Sequence, residues 1–308
     1  MKKIGLLAFV LSAISNVSNA QFYLKAGIGY AFAQAGQTID GTATPYSGTL
    51  TINTTNSSLS YAIKSASYSA GVQGAFGFGY LFTGHIGVQL DANIGIASHK
   101  YSFTESNVNI GSGILGNVSY VQKAKTPVIL SPSVVLQTGG SVWNIYSRFG
   151  LALPLSTRIS QDEIVSNAAG TGALTINDFN FQIKNSFSLG FTAALGVQYK
   201  LNDKFSVWGE ASLLSMSAFI KQADLESWKQ NGQSVPLSYF APYPTTIKYS
   251  KNVTVDSGIT NASQPAFSQP FSNVGINVGI NIRLSEQRRH THNNPMDNND
   301  KNFKRKKF

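Results

Sequence analysis

The feature that most constrains this chain is a period-two alternation, clearest in the segment "SNVGINVGINIRL", residues 272–284. Val274, Ile276, Val278, Ile280, Ile282 and Leu284 fall on one face of an extended strand, because successive side chains of a strand point to opposite sides. Asn273, Gly275, Asn277, Gly279, Asn281 and Arg283 fall on the other face. One face is unbroken aliphatic and the other is small and polar. Residues 285–308 carry nothing apolar enough to cover the aliphatic face.

The same alternation recurs eight times. The predicted strands are 22–33, 68–82, 85–97, 127–137, 143–156, 187–201, 205–219 and 272–284. The fourth and seventh are less regular, and the fourth contains two prolines. Thr83-Gly84, Gly139-Gly140 and Asn202-Asp203 join neighbouring strands as tight hairpin turns. The other links, about 35–67, 104–119, 160–180 and 220–270, are long and rich in Ser, Thr, Asn and Gly. Tight turns therefore gather at one end with both termini, and long loops at the other. An even number of antiparallel strands closes such a scheme without edges.

Charge decides which way the faces point. Only 12% of the 308 residues are charged, against 42% hydrophobic, about half the charge of an ordinary water-soluble domain. The second face of each strand is Gly, Asn, Gln and Ser with an occasional single charge. That is too small and too weakly charged for a water-facing surface, and it suits a crowded narrow interior. The large aliphatic and aromatic face suits hydrocarbon. Strands of this length, with short turns at one end, long loops at the other and aromatics near the ends, predict an all-β, eight-stranded antiparallel up-and-down transmembrane β-barrel. A ten-stranded barrel is the alternative, because "TIKYSKNVTV" (246–255) also alternates. A sheet in a bilayer has to close, since an open edge leaves backbone groups unpaired.

The N-terminus predicts export. Lys2 and Lys3 precede the short apolar run 4–14, and Ser18–Ala20 fits a small-x-small cleavage site, so residues 1–20 read as a signal peptide. The run is too short to span a bilayer as a helix. With no cysteine, disulfides and thiolate metal sites are excluded. Residues 285–308 read as a basic disordered periplasmic tail, with seven Lys/Arg against three acids. Together with the two early lysines, that tail supplies much of the formal charge of +10. The folded body therefore gives no reason to expect nucleic acid as a partner.

The strand pattern, the turn polarity and the last strand resemble the small bacterial outer-membrane β-barrel family: the OmpA-like, OmpX-like and opacity-type barrels in the form common in Bacteroidota. The resemblance covers residues 21–284. "NVGINIRL", with Asn277, Gly279, Ile282 and Leu284, is similar to that family's signal for the barrel-assembly machinery, although the signal usually ends the chain with an aromatic. The resemblance implies insertion by that machinery, a lipid surround in the outer membrane, and both termini in the periplasm.

Counting from the tight turns puts Asp91, Arg148 and Glu210 at similar heights on the inward face, with Lys25 lower. Arg148 is expected to bridge Asp91 and Glu210, because a charge at that depth needs a partner. Separate solvation by internal water is the alternative. An eight-stranded interior is just wide enough to be filled by side chains, so a plug is expected rather than a pore. The long segment 220–270 carries Tyr239, Phe240, Tyr243 and Tyr249 among prolines and is the candidate recognition surface, for an extracellular ligand or a host or cell-surface partner.

Signals of catalysis are weak. His99 with Ser98 and Ser102 lies toward the loop end, but no nucleophile–base spacing stands out. "GSGILG" (111–116) lacks the strand–turn–helix setting of a nucleotide loop. His290 and His292 do not make a metal site by themselves. The expectation is a structural or surface-interaction protein with no enzyme activity, cofactor or metal. A narrow channel, a lipid-modifying enzyme and a secretion-apparatus barrel remain as alternatives.

Overall fold

The computed structural model describes residues 21–34, 50–53, 58–60, 66–109, 115–167, 175–240, 244–252 and 263–284. The expected signal peptide (1–20), the basic tail (285–308) with His290 and His292, residues 111–114 of the glycine-rich match, and Tyr243 lie outside the described residues.

Fourteen longer strands are numbered here in chain order. They are β1 (Gln21–Ala33), β2 (Gly71–Leu81), β3 (Ile86–Ser98), β4 (Lys100–Asn109), β5 (Leu115–Ala124), β6 (Val128–Gln137) and β7 (Trp143–Ser156). They continue with β8 (Ile159–Asn167), β9 (Ile176–Asn185), β10 (Gly190–Lys200), β11 (Phe205–Ser215), β12 (Ser217–Gln230), β13 (Thr246–Ser250) and β14 (Asn273–Arg283). Eight of them close a barrel in the order β1-β14-β11-β10-β7-β6-β3-β2. Every neighbouring pair in it is antiparallel, and β14 pairs with β1 to seal the ring, Ile28 opposite Val278. The tight turns fall where expected. The Asn202 side chain, for example, accepts the backbone N–H groups of Lys204 and Phe205 at 2.9 and 2.8 Å.

The long links differ from the expectation. Among the described residues, 104–109, 115–119, 160–167, 176–180 and much of 220–250 are strand rather than loop. β3, β6, β7, β10 and β11 each pass through a short break and continue upward as β4, β5, β8, β9 and β12. These pair side by side into one sheet, β12-β9-β8-β5-β4, with β13 added on β12. β13 thus extends the upper sheet and the barrel stays at eight strands, so the ten-strand alternative falls. Ser-, Thr- and Asn-rich composition misled because a sheet rising beyond the barrel needs a polar outer face, and composition alone does not separate that from loop.

The breaks occur at matching positions: His99, Lys125–Pro127, Thr157–Arg158, Ser186–Leu189 and Met216. At one of them Thr126 takes a left-handed backbone, φ 42°.

The second expected strand starts later than predicted. Residues 66–70 do not continue it but cross the top of the barrel interior as a buried strap. Gly71 turns the strap into β2 with φ +120°, a conformation open to glycine. Tyr68 in the strap is fully buried, with its ring 5.7 Å from Phe271 and 5.9 Å from Tyr101. Its hydroxyl donates to Gln122 Oε1. Tyr101 Oη accepts the N–H of Ser67 and donates to its carbonyl, both at 2.8 Å. Ile159, Ile183, Met216, Ile220 and Phe271 complete this apolar cluster at the junction of barrel and upper sheet.

Candidate functional site

At barrel heights the inward faces are polar and the outward faces apolar. Gln73, Gln89, Ser133, Asn144, Gln198 and Asn277 point inward and are buried, whereas Phe149, Val278 and Leu195 stand more than half exposed outside. Among the described residues, every charged side chain between the two rims of the barrel points inward.

Those charges are Lys25 on β1, Asp91 on β3, Arg148 on β7 and Glu210 on β11. Around the ring they occupy every second strand and alternate in sign. The Arg148 guanidinium donates from Nη1 to Asp91 Oδ2 and from Nη2 to Glu210 Oε1, both at 2.7 Å. Lys25 Nζ donates to Glu210 Oε2 at 2.6 Å. It thus joins the layer rather than sitting apart below it, because strand tilt brings β1 residues up to meet β11. Lys25 is paired across the sheet with Gly77, and so is Asp91. A Cβ at Gly77 would come within 2.7 Å of Asp91 Oδ1, so this glycine is the space in which the two charged side chains lie.

Neutral groups satisfy the rest of the cluster. Tyr146 Oη donates to Glu210 Oε2 at 2.9 Å, Gln89 Nε2 to Asp91 Oδ1 at 2.5 Å, and Tyr23 Oη to Gln89 Oε1 at 2.6 Å. The Lys25 ammonium also sits 3.8 Å from the centre of the Trp208 ring, a favourable site for a desolvated cation. Two positive and two negative groups cancel, and each has several partners. These are the conditions under which buried charges are tolerated. Below the cluster, toward the tight turns, a cavity of about 20 Å³ remains among Tyr23, Gln89, Gln198 and Asn281. That is room for about one water molecule.

Sequence reasoning did not find Tyr68 and Phe271 above the cluster, since Tyr68 read as the start of the second strand and Phe271 precedes the last periodic run. Tyr146 and Gln89 were legible as inward-facing, but their role as partners of the charges was not.

Of the four aromatics of 220–270, Tyr239 and Tyr249 have different surroundings. Tyr239 is exposed, in the short 3-10 turn Leu237–Phe240 that also holds Phe240. Tyr249 is half-buried, with its ring edge against Phe267 at 5.7 Å and packed on the junction cluster, because β13 pairs with β12 instead of standing free. Another aromatic row lies on the inner face of the upper sheet. Trp228 is opposite Phe179, their rings stacked 5.9 Å apart, with Phe181 beside them.

In the last strand, Asn277 points inward and donates to Ser212 Oγ at 3.0 Å, Gly279 lies under the Trp208 ring, and Ile282 and Leu284 face outward. His99 is exposed, with its ring 4.9 Å from Tyr101 and no ring hydrogen bond to another described residue. Among the described residues no group of three His, Asp or Glu side chains is placed to hold a metal ion.

No family model and no curated protein matches the chain. Among solved structures it is similar to the outer membrane protein OprG from Pseudomonas aeruginosa, with 10% identity and a TM-score of 0.40 over 86% of this chain and 96% of that one. It is also similar to a major outer membrane protein from Thermus thermophilus, with 12% identity and a TM-score of 0.36 over 86% of this chain and 100% of that one. Neither likeness bears on what this chain does.

Proposed function

We propose that this chain is an integral outer-membrane protein of the small eight-stranded kind, OmpA-like, OmpX-like or opacity-type, with the tight turns and both termini on the periplasmic side. The observation that carries the reading is the reversal of polarity along one set of strands. In the barrel, apolar side chains face out and a neutralised charge layer faces in. In the upper sheet, Ile159, Ile183, Phe179 and Trp228 face in beside the paired Gln122 and Gln161, and mostly polar side chains such as Ser160, Lys184 and Asp224 face out. An outward apolar belt suits hydrocarbon, and the outward polar face above it suits water. On β1 the belt runs from Phe22 to Phe32, ~25 Å at the usual rise and tilt, matching the apolar band of a transmembrane barrel.

The lumen is closed at rest on this reading, by the charge layer at mid-height and the Tyr68–Phe271 cluster above it. The upper sheet acts as the surface that meets other molecules, and the barrel serves to display it. In planar bilayers the reconstituted protein is expected to show no large steady conductance. A large steady conductance overturns the closed lumen. Alkaline extraction of membranes from the producing cell is expected to leave the protein in the pellet. Release into the soluble fraction overturns the membrane assignment itself.

A further inference from the structure

Cations sit just above the apolar belt on adjacent strands. On β3 the last outward apolar residue is Ile96, 65% exposed, and Lys100 follows at the start of β4. On β7 it is Leu155, 66% exposed, and Arg158 follows in the break. On β12 Lys221 follows the exposed Phe219. Descending strands repeat the order in reverse: Lys123 and Lys125 come before the outward Val128, and Lys184 before Phe187.

Pairing joins these positions into a band. Lys100 is opposite Lys123, and Lys123 is opposite Ser160, two residues above Arg158. A bulge in β12 turns Lys221 and Gln222 to the same side, and Gln222 is opposite Lys248. Two cations are already paired, Lys125 with Glu226 at 3.5 Å and Lys184 with Asp224 at 2.8 Å. Lys100, Lys123, Arg158, Lys221 and Lys248 make no ion pair with a described residue.

The opposite rim is built differently. There Lys200 and Arg283 turn toward the barrel interior, and the outer wall ends in Trp143, Tyr199 and Phe205, with Lys204 in the adjoining turn. A basic band that served general solubility would have no reason to favour one rim.

We propose that this band binds the phosphate groups of lipids in the leaflet at the long-strand end, with their acyl chains seated on the belt directly beneath. The inference rests on the membrane reading above. Cations on several strands meet phosphates at the depth where headgroups lie, and the apolar rows below continue the same site. Lysine and arginine are the natural partners of phosphate, and each near an anionic surface adds to the attraction.

The test uses the full mature chain and two probes: bisphosphorylated lipid A and the same lipid after enzymatic dephosphorylation. Both are offered in zwitterionic vesicles or detergent, and bound lipid is counted by native mass spectrometry. The wild type is expected to prefer the phosphorylated lipid by ~10-fold or more. The variant Lys100→Gln/Lys123→Gln/Arg158→Gln/Lys221→Gln is expected to lose that preference while keeping the heat-modifiable gel mobility of a folded barrel. Lys204→Gln at the other rim should keep it. Insertion into vesicles with no preference, or a preference that survives the fourfold change, overturns the lipid site and leaves the membrane reading intact. Failure to insert into any vesicle overturns the membrane reading and the site with it. Displacement of the lipid by millimolar inorganic phosphate makes this a free-phosphate site and overturns the lipid assignment.

Discussion

The barrel and the upper sheet are made from the same strands, yet they solve opposite problems. β7 and β8 are one run of chain with a two-residue break. Below the break Phe149 and Leu151 face out while Arg148 faces in, fully paired. Above it, Ile159 faces in, buried against Ile183, while Ser160 faces out, as does Arg158 in the break. The strand does not change its geometry, yet its outward face changes from apolar to polar. The charge layer costs desolvation, and that cost is offset only because four groups of alternating sign converge. The outward ion pairs above, such as Lys184–Asp224, are partly exposed and contribute little.

Arg148→Ala gives the widest expected gap between the two regions. It leaves Asp91 and Glu210 with Lys25 alone, and a loss of ~3–5 kcal/mol is expected on breaking such a buried set. Lys184→Ala in the upper sheet should cost less than ~1 kcal/mol. Urea unfolding in detergent, followed by the heat-modifiable gel band, measures both. Similar losses would erase the contrast.

The next comparison adds a charge to the outer wall. Val278→Arg, at mid-belt, should cost ~2–4 kcal/mol. Ser160→Arg, outward on the upper sheet, should stay within ~0.5 kcal/mol. If Val278→Arg is equally harmless in lipid, the belt does not face hydrocarbon.

Gly71→Ala tests the joint between the regions. The new Cβ meets an unfavourable φ and the Ala97 carbonyl oxygen, so ~1–3 kcal/mol is expected. Hydrogen exchange should show the loss concentrated in residues 66–71 and around Tyr101, not in β14.

The smallest effect concerns acid. A hydrogen bond from Lys184 holds the Asp224 carboxyl below the ordinary aspartate range, with partial desolvation opposing it. Its stabilisation is therefore full above the unfolded-state pKa and is lost as pH falls through the lowered folded value. For so exposed a pair this is less than ~1 kcal/mol. Asp224→Asn should remove the acid dependence of amide protection around 182–184 without changing that of the barrel strands.

The barrel was legible because its signal is local. Period two in 143–156 or 272–284 states which residues share a face, and scarce charge states which face meets water. Asp91, Arg148 and Glu210 could be placed at one height by counting from Thr83-Gly84, Gly139-Gly140 and Asn202-Asp203. What counting lacked was the stagger between strands, and so Lys25 was put too low. The upper sheet was hidden because its strands alternate polar with polar as often as polar with apolar, as in "ISQDEIVSN". The strap was hidden for a different reason. Nothing in "ASYSA" (66–70) distinguishes five residues that enter the barrel from five that extend a strand, since that choice depends on contacts with Pro270, Phe271 and Tyr101 far along the chain.

The distribution of the four charges along the chain has a consequence for how the protein is made. Lys25 and Glu210 are 185 residues apart, and the strand between them in the ring, β14, is the last to be synthesised. Until it is in place the barrel cannot close between β1 and β11, and the Lys25–Glu210 bond has no framework to hold it. The Asp91–Arg148–Glu210 bridge lies on the other side of the ring and does not need that strand, so Lys25 is the charge that waits for ring closure to meet its partner. Closure of the seam and neutralisation of the interior become one event, so a chain stalled before its last strand carries open charge at the depth where the finished protein carries none.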